Sequence, residues 1–184
     1  MSAPHPNPFC TARFAPGVLS WIGDLEPFVD RVCVPNARLQ ILGPHGSGKS
    51  ALLVHLARQA KTRGWQPIHF RGSRGLAPLF EGERRTGAPL VVLADEAEEL
   101  GAVRLRAVRA WCALHRAALV LTAHRDIGFE TLCVRSVDVP LVRELVGQLV
   151  EDGSFEPDID ALLQRHDGNI REVFLDLYDV VAAR

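Results

Sequence analysis

Apolar positions along the chain alternate between two periods. Arg38–Leu42, Gln66–Phe70, Pro89–Ala94, Ala118–Ala123 and Thr131–Val139 are short runs rich in Leu, Ile and Val, and they predict strands. PLVVLA at Pro89–Ala94 is apolar without interruption, as expected of a strand covered on both faces. Between these runs the spacing becomes helical. Leu19–Val34 predicts a helix with Pro27 near its first turn, Ser50–Arg63 a helix ended by Gly64, and about Val103–His115 a third. Residues 71–89 are rich in Gly, Arg and Pro, with a short helix expected around Leu79–Arg85.

Strands that alternate with helices imply crossover connections and a parallel, doubly covered sheet, so the expected class is α/β with three layers. From Leu141 onward only helical spacing is seen, at Leu141–Glu151, Ile159–Arg165 and Asn169–Ala183, which predicts a helical lid over residues 141–184. Residues 1–16 carry Pro4, Pro6, Pro8 and Pro16 and are expected to be an extended, weakly ordered lead-in to an α/β domain at 17–140.

Composition narrows the setting. With 184 residues, 47% of them apolar, one core can be filled without staples. The net charge of −1 argues against a surface built throughout to grip nucleic acid. Cys10, Cys33, Cys112 and Cys133 have no metal-ligand or CxxC spacing and read as buried thiols in a reducing compartment. No run approaches 18 apolar residues and no leader pattern opens the chain, so a cytoplasmic protein without membrane insertion is expected.

The candidate chemistry starts at Gly43-Pro44-His45-Gly46-Ser47-Gly48-Lys49-Ser50, which matches GxxxxGK[ST] throughout. A chance match in a chain this long is on the order of one in a hundred. The context fits as well, with an apolar strand before and a helix after. Glycines let successive N–H groups turn inward as an anion nest, and the helix that follows, running through Ala51, adds its positive end. Lys49 is expected to reach the β- and γ-phosphates and the Ser50 hydroxyl to ligate Mg²⁺. His45 is expected to be an exposed spacer.

LVVLADE at Leu90–Glu96 places two adjacent acids at the C-terminal end of a strand, where ligands of open α/β sheets collect. Asp95 is expected to hold Mg²⁺ through water and Glu96 to polarise a water aimed at the γ-phosphate. Glu98 and Glu99 are read as capping or surface residues. The Asp-Glu pair favours water as the attacking group, hence hydrolysis.

Together GPHGSGKS, VVLADE, the strand LVLTAH and the late GNIREV resemble the AAA+ ATPases and related P-loop ATPases, over about residues 20–184, and most of all compact members such as transposition-helper and secretion-associated ATPases. The resemblance implies a P-loop fold with sheet order 5-1-4-3-2, ATP as the nucleotide, a protein partner and a homo-oligomer. It implies a γ-phosphate sensor at the end of the fourth strand, Thr122 first and His124 second. Arg171 would be the sensor arginine of the lid, its guanidinium forking onto phosphate oxygens. A neighbouring subunit would supply one more arginine, either Arg125 or Arg135.

Other readings are weaker. Arg104, Arg106, Arg109 and Arg116, with Arg84 and Arg85 upstream, would suit nucleic-acid phosphates, but Glu81, Glu83, Glu96, Glu98 and Glu99 interleave with them and favour a solvated, ion-paired face. Trp21 is open to either core packing or base stacking, and Trp65 and Trp111 read as core. No HExxH pattern or GxSxG elbow is present. Beside hydrolysis coupled to conformational change, a nucleotide-gated adaptor with little turnover and a small-molecule kinase remain.

Overall fold

Every residue of β3 (Leu90–Asp95) and β4 (Ala118–Ala123) is buried, as continuous apolar runs require of central strands. The computed structural model describes residues 7–73, 76, 79, 87–150 and 155–183. Around the central pair lie β1 (Arg38–Leu42), β2 (Gln66–Arg71) and β5 (Glu130–Val134) in one all-parallel sheet ordered β2-β3-β4-β1-β5. That is the expected order read from the opposite edge.

Two layers of helix cover the sheet. On one face α1 (Glu26–Val32) and α2 (Lys49–Thr62) bury Val29, Val32, Leu52, Leu53 and Leu56 against Leu39, Ile41, Val91, Leu93 and Val120. On the other, α3 (Gly101–Leu114) buries Val108 and Cys112 against Val92, Leu119 and Leu121. The lid consists of α4 (Val139–Leu149), α5 (Ile159–Arg165) and α6 (Ile170–Ala182) around a third cluster that includes Val142, Leu163, Phe174 and Leu177. Among the described residues no helix is long and apolar enough to cross a membrane.

Several expectations need correction. The helix expected over Leu19–Val34 starts only at Glu26, because Gly23 takes φ +98° and the Asp24 carboxylate accepts the Glu26 N–H at 2.9 Å, which stops the chain before Pro27. Strand β5 ends at Val134 rather than Val139, since Asp138 caps α4 by accepting the Leu141 N–H. Residues 7–16 are no loose lead-in. Phe9 is fully buried in the lid core, its ring 5.6 Å from Phe155 and 6.0 Å from Phe174, and Phe14 meets Phe174 edge-on. Residues 1–6 lie outside the described residues, as does the helix expected at Leu79–Arg85 apart from Leu79, which is buried in the α3-side core.

The connection from β4 to β5 is the main departure from a helix-linked crossover. It must pass over β1 and return about three residues along it, yet it is only the loop 124–129. Six residues reach at most about 20 Å, enough to step across two strand spacings of roughly 5 Å each but not to hold a helix. Gln40 of β1 explains how the loop is held. It is fully buried, its amide nitrogen lies within hydrogen-bond distance of Asp126 Oδ1, Phe129 O and Thr131 Oγ1, and its oxygen accepts from Ile127 N. Gln40 thus pins the polar groups of the loop that leaves the end of β4, while Phe129 and Ile127 pack it onto the α3-side core.

Candidate functional site

The strands end on one rim, and the 43–50 loop opens there between β1 and α2. Gly43 and Gly46 are needed for close approach. A Cβ on Gly43 would sit 2.6 Å from both Arg135 O and Ser47 Oγ, and one on Gly46 (φ +68°) would overlap the Asn169 side chain at the start of α6. The tip of the loop therefore packs directly on the lid. Ser47 Oγ donates to Pro44 O at 2.9 Å and ties the turn.

Lys49 is 9% exposed and its ammonium donates to Gly43 O at 2.6 Å and Pro44 O at 2.7 Å. Burial pulls its pKa below the ordinary lysine value, opposed by the charges of Glu98, Asp95 and Glu96. His124 Nδ1 lies 3.3 Å from the ammonium and 3.0 Å from Gly43 O. It accepts from the lysine or, in the other tautomer, donates to the carbonyl, but not both. The His124 ring also lies 3.9 Å from that of His45, tilted by 39°; His45 is exposed, as expected, and lines the mouth of the site.

The acids stand beside this loop. Asp95 is 4% exposed, and one of its oxygens accepts the Thr122 hydroxyl at 2.6 Å, while Thr122 Oγ1 accepts the Glu96 N–H at 2.9 Å. Thr122 is 1% exposed with both of these bonds made, so its hydroxyl orients the acid pair. His124 is the side chain from the end of β4 that reaches the mouth of the loop. Glu96 has φ +55°, a backbone strain uncommon outside glycine. Its carboxylate is held by Arg71 at the end of β2, with Nε donating to Oε2 at 2.8 Å and Nη2 to Oε1. That guanidinium keeps the Glu96 carboxyl below its usual range.

Arg71 and Glu98 were not singled out as site residues by sequence. Glu98 accepts the His124 backbone N–H, although an acid just after a strand reads as a helix cap. The signal for Arg71 was its place at the end of a strand whose C-terminus shares the rim. Of the two arginines considered for a neighbour's site, Arg125 is exposed on the 124–129 loop, whereas Arg135 faces its own chain's cavity. Arg171 is exposed at the first turn of α6 and also lines that cavity.

These groups share one cavity of about 700 Å³, bounded by the loop, the acids, the 14–22 segment and the lid. That volume lies in the usual range for small-molecule sites. Ser50 and Asp95 both line it. Among the described residues no group of three or more His, Cys, Asp or Glu could hold a metal ion.

No protein-family model matches the chain, and no curated protein matches its sequence. Solved structures do match. A DNA replication initiation factor superposes with TM-score 0.61 at 17% identity, covering 85% of this chain and 58% of that one. Replication initiator DnaA bound to AMPPCP and single-stranded DNA gives 0.58 at 16% identity, covering 83% and 57%. AMPPCP-bound DnaA from Aquifex aeolicus gives 0.57 at 16%, covering 84% and 61%. The chain therefore spans under two thirds of the length of these proteins, and at such identities the likeness concerns architecture. With its parallel five-stranded sheet, its loop between β1 and α2 and its helical lid, the chain has the fold of the AAA+ P-loop ATPases.

Proposed function

We propose that the chain binds a magnesium nucleoside triphosphate, ATP, in this cavity and hydrolyses it, using the change to move its lid against a protein partner. The observation that carries the reading is the meeting of Lys49 and the 43–50 loop with Asp95 and Glu96 at one rim, although β1 and β3 are separated by β4. The fold shared with proteins solved with AMPPCP supports it.

In this reading the N–H groups of Pro44-free positions 45–51 and the α2 terminus hold the β-phosphate, and Lys49 bridges to the γ-phosphate. Ser50 and Asp95 hold Mg²⁺, which when bound draws charge from the phosphate oxygens. Thr122 fixes Asp95 and Glu96. His124, at the mouth of the loop, meets the γ-phosphate, and Arg171 approaches it from the lid. Glu96 orients water once it parts from Arg71. Asn169 against Gly46 gives the lid a direct contact with the loop, so phosphate occupancy and lid position are coupled there.

The doubly held Glu96 favours a second reading, a nucleotide-gated adaptor with low turnover until a partner draws Arg71 away. Steady-state phosphate release separates the two. Hydrolysis predicts measurable turnover that Glu96→Gln removes while Mg-ATP still binds, and an adaptor predicts almost none in the wild type. Lys49→Ala should abolish the rise in melting temperature caused by Mg-ATP. An undiminished rise in that variant would place the nucleotide elsewhere.

A further inference from the structure

Two buried donors without acceptors sit side by side on the cavity wall. Trp21 Nε1 and Arg135 Nε are two of three buried side-chain polar atoms left unpaired among the described residues. The Arg135 guanidinium lies 4.9 Å above the Trp21 ring, and both residues line the large cavity. Arg135 directly follows the β5 pairing, its N–H donating to Leu42 O at 2.7 Å, so its backbone is fixed to the strand that feeds the loop. Its Nη2 lies 3.9 Å from where a Cβ on Gly48 would stand.

The chemistry of the side chain limits what it can meet. A guanidinium stays charged at any working pH, and leaving it half-buried without an anion is costly. Yet no carboxylate lies within ion-pair distance of Arg135 among the described residues, although Glu172 shares the cavity wall. Arg71, by contrast, is neutralised by Glu96. The cavity thus has its acids near Lys49 and an unneutralised cation beside Gly48, stacked on an indole.

We propose that Arg135 is a nucleotide ligand within its own chain, holding a non-terminal phosphate of a nucleoside di- or triphosphate while Trp21 packs beneath the guanidinium and holds it in place. This rests on the nucleotide reading above and deepens it. Arg135 then serves binding itself, where an arginine lent to a neighbouring subunit would serve turnover.

The test is titration of Mg-ADP and Mg-AMPPCP, by calorimetry and by tryptophan fluorescence, against wild type, Lys49→Ala, Arg135→Ala, Arg135→Lys and Trp21→Phe. Losing one charge-assisted contact corresponds to a weakening of about tenfold to a hundredfold. Arg135→Ala should weaken both ligands by the same factor, with Arg135→Lys in between. Trp21→Phe keeps the stacking ring, weakens binding less, and should remove the ligand-induced change in emission. Since the Arg135 side chain makes no hydrogen bond or ion pair among the described residues, its variants should melt near the wild type without ligand. Wild-type affinity in Arg135→Ala, or a loss confined to AMPPCP, would overturn the inference while leaving the loop reading intact. If Lys49→Ala binds both ligands as well as the wild type does, the loop reading itself fails.

Discussion

Arg71 and Glu96, at the ends of neighbouring strands β2 and β3, are joined by a two-pronged ion pair in which both carboxylate oxygens accept from one guanidinium. A carboxylate occupied in this way has little capacity left to take a proton from water. Arg71→Ala should therefore raise basal phosphate release. The pair also holds the Glu96 carboxyl below its usual range, so the ionised form persists to lower pH than in a free glutamate. Without Arg71, the acid limb of the pH–rate profile should move up toward the ordinary glutamate value. A profile that does not move, with no change in rate, would show that Glu96 is not the titrating group.

Gln40 makes a prediction about stability. Replacing it with Leu leaves the buried Phe129 carbonyl and the Ile127 N–H without their partner, at a cost of about 2–4 kcal/mol. In a domain of this size that lowers the melting temperature by roughly 5–15 °C. The loop 124–129 should also lose its hold on His124, so nucleotide affinity should fall together with stability. A melting temperature within a degree or two of the wild type would mean that the loop is held by something other than Gln40.

The strands, the loop and the acid pair were legible because each has a local cause: a period, a run of glycines, a polar residue at the end of an apolar strand. The sheet order followed only from the family resemblance. What could not be read depended on partners far apart in sequence. Gln40 is a polar residue within RLQIL, and nothing near it indicates that residues 126–131 need it. The four prolines of the first sixteen residues suggested a loose tail, yet Phe9 finds its pocket in α6 and the segment before α5, more than 140 residues away. Thr122 and His124 were both named, but which one faces the loop depends on β4 lying beside β1, a matter of topology and not of residue type.

Cys112 gives a prediction that tests the core directly. It is fully buried under α3, and burial pushes its thiol up to about 12. The nucleophilic thiolate is thus almost absent at pH 8. In a thiol-reagent assay on the native protein Cys112 should stay unmodified, reacting only on unfolding, and peptide mapping should assign the slow site to it. Prompt labelling of Cys112 would show that α3 opens far more readily than its packing against Leu119 and Leu121 allows.

Phe9 ties the N-terminal segment to the lid, and its removal should loosen the lid more than the sheet. The ring is fully buried between Phe155 and Phe174, so Phe9→Ala leaves a cavity and costs about 3–5 kcal/mol. The loss should be local because the lid has its own apolar cluster, and few bonds cross to the sheet domain from the segment: Arg58 donates to Gly17 O, and His55 Nε2 lies 3.1 Å from Leu19 O. Limited proteolysis should therefore cut Phe9→Ala first between residues 155 and 183, and leave β1 to β5 protected. Because Asn169 of the same lid packs on Gly46, Mg-AMPPCP should slow that cleavage if the lid closes on the loop. Equal cleavage with and without the analogue would separate the lid from the nucleotide, and the coupling would have to be sought elsewhere in the fold.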